Sequence, residues 1–167
     1  PADVEVLRDR WAAMKDTHEF FPMVRDLGLT RSEANALVGP EFAEPLRASA
    51  LETTLRAAAA QAVPIMIFVG NPGCIQIHTG LVHRIERMGE WLNVLDPGFN
   101  LHARTDLIAE AWLVRKPTAD GIVTSIEFFD AAGEELALCF GERKPGKPEL
   151  ETWRALTREI AEKELNV

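Results

Sequence analysis

The sequence predicts an α+β fold: helices first, then a large meandering antiparallel β-sheet, then one closing helix. Three observations predict it. Apolar residues recur at spacings of three and four through the first third of the chain. From Val63 onward, short apolar or alternating runs follow one another, separated by Gly, Pro, Asp and Asn. The last stretch returns to helical spacing. This order does not suit a doubly wound nucleotide-binding fold, and the sequence carries no GxGxxG, Walker A, HExxH or GxSxG motif.

Each element has its own signal. Val4, Leu7, Trp11 and Met14 fall on one helical face. In "LTRSEANALVG", Thr30 is the expected N-cap, Glu33 completes a capping box and Gly39 stops the helix. "ALETTLRAAAAQA" is built from strong helix formers. "VPIMIFV" reads as a buried strand and "NPG" at 71–73 as a turn. In "CIQIHT", Ile75 and Ile77 point one way and are expected to pack the sheet, while Gln76 and His78 point the other. "LVHRIERM", "WLNVLD", "FNLHAR", "IAEAWLVRK", "IVTSIEFFD" and "ELALCFG" continue as strands, with "DAAGE" as a hairpin loop between the last two. In "ELETWRALTREIAEKEL", Trp153, Leu156 and Ile160 form the buried stripe.

A length of 167 residues favours one domain over 1–167 and suffices to bury a core without staples. The net charge of −8 argues against broad nucleic-acid or anionic-membrane binding. An anionic ligand would need a locally basic pocket. Cys74 and Cys139 are far apart and form no CxxC, which fits a reducing cytoplasm. The run "VPIMIFVG" is far too short to span a membrane. "PADVEVLRDRW" has no signal-peptide pattern and no initiator Met, so a trimmed chain or part of a longer protein is expected.

His18, in "MKDTHEFFPM", is the candidate ligand-binding residue. Asp16 can cap a helix there, and a start near Glu19 puts Pro22 in the first turn, where its missing N–H is tolerated. A neutral imidazole ligates metals. Classical zinc needs three or four ligands, and His78, His83 and His102 lie on different strands without ligand-type spacing. A metal already held in a macrocycle needs only one protein ligand. The bland alternative is a hydrogen-bonded surface histidine.

Two late strands end in basic-proline segments, "VRKPT" and "GERKPGKP", which gather Arg115, Lys116, Arg143, Lys144 and Lys147. Such cations suit carboxylate or phosphate recognition; the alternative is a solvated rim of charge. Leu138 and Phe140 share one face of the last strand, with Cys139 on the other. An apolar face leading into Arg143 suits a flat greasy ligand with acidic edges, such as haem.

The blocks "DTHEFF", "PIMIFVGNPGCIQIHTG", "WLNVLDPGFNLH", "AWLVRKPT" and "GERKPG" closely resemble the HemS-type haem-utilisation proteins, also called hemin-degrading factors. The likeness runs nearly end to end and is to the C-terminal half of those duplicated two-domain proteins. It implies haem b as ligand, with His18 as the proximal iron ligand. It also implies Arg31, Lys116 and Arg143 at the propionates or the pocket edge, and Phe68 and Phe140 as pocket wall. No catalytic residue is implied. The family often has a tyrosine near Phe140, and this chain has none. Two-domain relatives bring an arginine from the N-terminal half to the distal face, so a homodimer or contact with such a half is implied.

Three functions compete. The first is cytoplasmic haem binding and trafficking, with a haem-importer permease or a haem oxygenase as transfer partner. The second is a haem-degrading, oxygenase-like enzyme that releases iron. The third is a non-haem dimerising module. His78 and His102 are expected to make hydrogen bonds between strands.

Overall fold

In the computed structural model, which describes residues 3–167, the helices come first and last and nine antiparallel strands lie between them. The first two residues of "PADVEVLRDRW" fall outside the described range. Helix α1 (Val4–Ala12) is capped by the Asp3 carboxylate and buries Leu7 and Trp11. Val4 stays at the surface, and Met14 is buried from the turn that follows the helix rather than from its face. A single 3-10 turn at Thr17–Glu19 leads into α2 (Phe20–Asp26). In α3 (Arg31–Val38) the Thr30–Glu33 capping box forms, and Gly39 ends the helix with φ 95°, a backbone angle that favours glycine.

Strand β1 (Ala43–Leu46) and α4 (Ala50–Gln61) follow. Next come β2 (Ile65–Asn71), β3 (Cys74–Gly80), β4 (Ile85–Met88), β5 (Trp91–Asp96) and β6 (Phe99–Arg104). The chain closes with β7 (Glu110–Thr118), β8 (Gly121–Phe129), β9 (Glu135–Gly141) and α5 (Glu151–Glu164). The strands form a six-stranded sheet in the order β1-β7-β8-β9-β2-β3 and a three-stranded sheet β4-β5-β6. Both contain meanders, β7-β8-β9 and β4-β5-β6, which short turns between successive antiparallel strands produce.

Alternation divides the large sheet into two faces. Leu113, Ile126, Cys139 and Ile65 point into the main core with Leu55 of α4 and Trp153, Leu156 and Ile160 of α5. Val114, one residue on, points the opposite way into a second core with Leu7, Trp11, Phe20 and Val38. The helices of that second core pack on β1 and β7. The same face continues across β9, β2 and β3 as Leu138, Phe140, Met66, Phe68 and Ile77, whose cross-strand pairing places them side by side.

Four local expectations change. The strand at β1 carries no alternation signal in four residues and contains Pro45; an edge position tolerates the missing N–H. "LVHRIERM" is strand only from Ile85, because the Asp96 carboxylate takes the His83 and Arg84 N–H groups at 2.9 and 2.8 Å. Arg115 and Lys116 lie inside β7, which runs on through Pro117 to Thr118; the strand pairing with β1 ends at the Ala43–Val114 pair, so Pro117 sits where no second ladder needs its N–H. Ile75 and Ile77 are 60% and 47% exposed rather than packed within this chain.

Candidate ligand-binding site

The His18 loop is held by two carboxylates. Asp16 Oδ1 accepts from the His18 backbone N–H at 2.8 Å and lies 2.8 Å from His18 Nδ1. A carboxylate can only accept, so Nδ1 carries a proton, and in the neutral imidazole Nε2 is then the nitrogen with the free lone pair. Glu19 reaches back to the Lys15 N–H at 3.0 Å. Phe20 then plugs the second core, and Pro22 sits in the first turn of α2. The His18 backbone N–H, then its ring, then Arg143 hold the Asp16 carboxyl below its ordinary value. The His18 side chain itself is 94% exposed, so a fixed imidazole projects from a buried footing.

A cavity of about 390 Å³ opens beside it, lined by Thr17, His18, Met66, Phe68, Val123, Phe140, Gly141, Arg143, Pro145 and Glu149. The Phe68 and Phe140 rings, 5.2 Å apart, form an apolar wall on adjacent strands. Strand β9 ends at Gly141, which puts Arg143 just past the strand end. Its Nη1 is buried and has no hydrogen-bond partner among the described residues. A buried guanidinium N–H with no acceptor is costly and invites an acid from outside. Glu149 is already committed: its two oxygens accept from the Thr124 N–H and hydroxyl, both at 2.7 Å, and from Arg154 at 3.2 Å. Burial holds its carboxyl above the ordinary value despite these bonds.

His18, Phe68, Phe140 and Arg143 are thus brought together in one cavity. Leu138, Lys116 and Arg31 lie outside its lining. Leu138 is buried on the cavity's face of β9, opposite Phe68 on β2 and Glu127 on β8. Glu127 is the centre of a buried polar cluster. Its Oε2 accepts from Lys116 Nζ at 3.0 Å, Ser125 Oγ at 2.8 Å and Arg31 Nη1 at 3.3 Å, and its Oε1 from Asn35 at 3.0 Å. Burial pushes the Glu127 carboxyl up, but Lys116, Arg31 and Asn35 outweigh it and pull it down to about 2. Burial lowers the Lys116 ammonium, and Glu127 opposes that shift. Phe20 lies beneath both cations, 4.4 Å from Lys116 Nζ and 5.0 Å from the Arg31 guanidinium carbon. Arg115 pairs instead with Glu44, so the basic group of the sequence does not form one patch.

Residues 28–160 match the family model described as the haemin-degrading HemS.ChuX domain. The chain belongs to this family. It is 41% identical to the hemin transport protein HmuS of Yersinia pestis, over 98% of this chain and 48% of that protein. Among solved structures it superposes on holo-PhuS, a heme-binding protein from Pseudomonas aeruginosa, with a TM-score of 0.93 and 49% identity over 99% of this chain and 47% of that one. The structure of ChuS, described as an E. coli heme oxygenase, gives a TM-score of 0.92 at 42% identity, over 96% and 49% of the two chains. This HemS/ChuX chain therefore spans about half the length of these relatives.

Within this HemS/ChuX domain, sequence reasoning missed Met66, Val123 and Glu127. Met66 was within reach, because it stands two residues before Phe68 on the same strand face. Glu127 was not: a lone glutamate in an apolar strand gives no hint that Lys116, Arg31, Ser125 and Asn35 converge on it. His102 bonds Asn93 across the strands at 2.6 Å, as expected, while His78 stacks on Phe99 with ring centres 3.9 Å apart and leaves its Nε2 buried without a partner among the described residues.

Proposed function

We propose that this domain binds haem b in the cytoplasm and passes it on during haem-iron utilisation, with His18 as the proximal iron ligand. The observation that carries the reading is the pairing, in one cavity, of an oriented imidazole with an unpartnered buried guanidinium N–H. The residues fit the group. One histidine is enough for an iron already held by a macrocycle. Asp16 fixes the Nδ1–H tautomer and so presents Nε2. Phe68 and Phe140 offer a flat apolar wall, and Leu138 extends it along β9. Arg143 supplies a donor for one propionate, and Arg31 at the start of α3 and Lys116 of β7, gathered around Glu127, supply cations for the other acidic edge. Haem, when bound, would supply an iron centre that takes a nitrogen ligand and carries redox chemistry.

The distal side is assigned to a second protein surface: another copy of this chain, or the further half that a protein of the relatives' length would contain. A haem-importer permease and a haem oxygenase are the transfer partners proposed. The family's haemin-degrading description and the likeness to ChuS favour a second reading, an enzyme that cleaves haem and releases iron. Formation of a defined tetrapyrrole in the presence of catalase, with a reductant, separates that enzyme from a carrier.

Titration of the chain with hemin, followed at the Soret band beside His18→Ala and Arg143→Ala, tests the reading. Saturation near one hemin per chain with a shifted band is expected, with weaker binding in both variants. Equal binding by wild type and His18→Ala would remove His18 as the ligand.

A further inference from the structure

Arg31 stands between two carboxylates of unlike character. Glu127 is fully buried and is held by four donors. Glu135 is 39% exposed, and its Oε2 meets Arg31 Nε at only 3.7 Å, beyond hydrogen-bond distance. Arg31 itself is 26% exposed and rests on Phe20. Burial holds the Glu135 carboxyl above its ordinary value even with Arg31 beside it, which marks a weak pairing. Lys116 is different: it is 5% exposed, bonds Glu127 at 3.0 Å and lies over the Phe20 and Trp11 rings.

We propose that Arg31 exchanges partners when an acidic ligand binds: its guanidinium leaves Glu135 for the ligand's carboxylate, while Glu127 keeps Arg31 and Lys116 in place. Glu135 is thus a built-in competitor that sets how strongly the site prefers a free acid. This rests on the haem reading above. The register supports it. Leu138 lies directly across from Glu127, and Phe140, two residues along the same face of β9, lines the cavity. Two strand residues span about 7 Å, so a flat ligand against Phe140 reaches the Arg31 cluster with an acidic edge. Only Glu135 can yield there, because moving Glu127 would leave Lys116 buried without a counter-charge.

The test uses hemin and its dimethyl ester, titrated into wild type, Glu135→Gln and Glu134→Gln. Glu134 is an exposed neighbour and controls for the change in net charge. Relative to that control, Glu135→Gln is expected to bind hemin about two- to fivefold more tightly, the scale of a weak surface ion pair, with no gain for the ester. Adding Arg31→Met should abolish the gain. Equal or weaker hemin binding by Glu135→Gln, or an equal gain for the ester, overturns the exchange. The two readings fail separately: if His18→Ala weakens hemin binding but Glu135→Gln is silent, only the exchange falls. If His18→Ala binds as wild type does, the haem reading falls and the exchange with it.

Discussion

Asp16 Oδ1 sits 2.8 Å from both the backbone nitrogen and the ring Nδ1 of His18, so one oxygen fixes both the turn and the imidazole. Loss of a carboxylate behind a ligating histidine typically costs ten- to a hundredfold in metal affinity. Asp16→Ala is therefore expected to weaken hemin binding by about tenfold, less than His18→Ala does. Asp16→Asn keeps an acceptor for both N–H groups and should recover most of the loss. Soret titrations of the three variants give the order; an Asp16→Ala protein that binds like wild type would mean that the ring needs no such support.

Glu127 gives the fold a defined acid sensitivity. Its carboxyl falls from the ordinary 4.5 to about 2, so the unfolded chain binds a proton there before the folded one does. The stabilisation is complete above pH 4.5 and is lost as pH falls through about 2. It amounts to about 3 kcal/mol, at roughly 1.4 kcal/mol for each tenfold difference in proton affinity between the unfolded and folded chains. Glu127→Gln should cost about 3–5 kcal/mol at pH 7, because Lys116 is then buried without its counter-charge. The same substitution should flatten the fall in stability between pH 4.5 and 2. Urea unfolding across that range checks both; an unchanged slope would show that Glu127 is not the group responsible.

This cluster also marks where the sequence stopped being informative. Helix caps, the β-hairpins and the α5 stripe depend on neighbours within a few residues, and Thr30, Glu33, Trp153 and Ile160 announced them. His18 and Arg143 stood out because imidazole and guanidinium chemistry is scarce and recognisable in an acidic chain. Glu127 depends on partners 96 and 92 residues away in sequence, Arg31 and Asn35, which no local pattern encodes. The exposure of Ile75 and Ile77 was hidden for the opposite reason. Alternation tells which residues share a face, not whether anything covers that face.

The two thiols should separate cleanly. Cys74 is exposed, whereas Cys139 is fully buried and its thiol is pushed up to about 12 by that burial. The thiolate is the reactive form, so Cys139 lacks both access and ionisation. An aromatic disulfide reagent at pH 8 is expected to titrate one thiol quickly in the native chain and the second only after denaturant is added. Fast release of both would show that β9 opens readily from the sheet.

Gly141 links the cavity to the core beneath it. It lines the cavity and ends β9, and a Cβ built there would stand 2.5 Å from Trp153 Cγ and 2.7 Å from its Cβ. Trp153 cannot easily give way: its side chain is fully buried, and its indole N–H donates to the Thr124 carbonyl at 2.9 Å. Gly141→Ala must shift α5 or the end of β9, and overpacking of this kind costs about 1–3 kcal/mol. Because Arg143 follows two residues later, a displaced strand end should also loosen the cavity rim and weaken hemin binding. Urea unfolding and a Soret titration of the same variant distinguish the effects. A stability loss with unchanged hemin affinity would place the adjustment in α5. Loss of both would place it in the strand that carries Arg143.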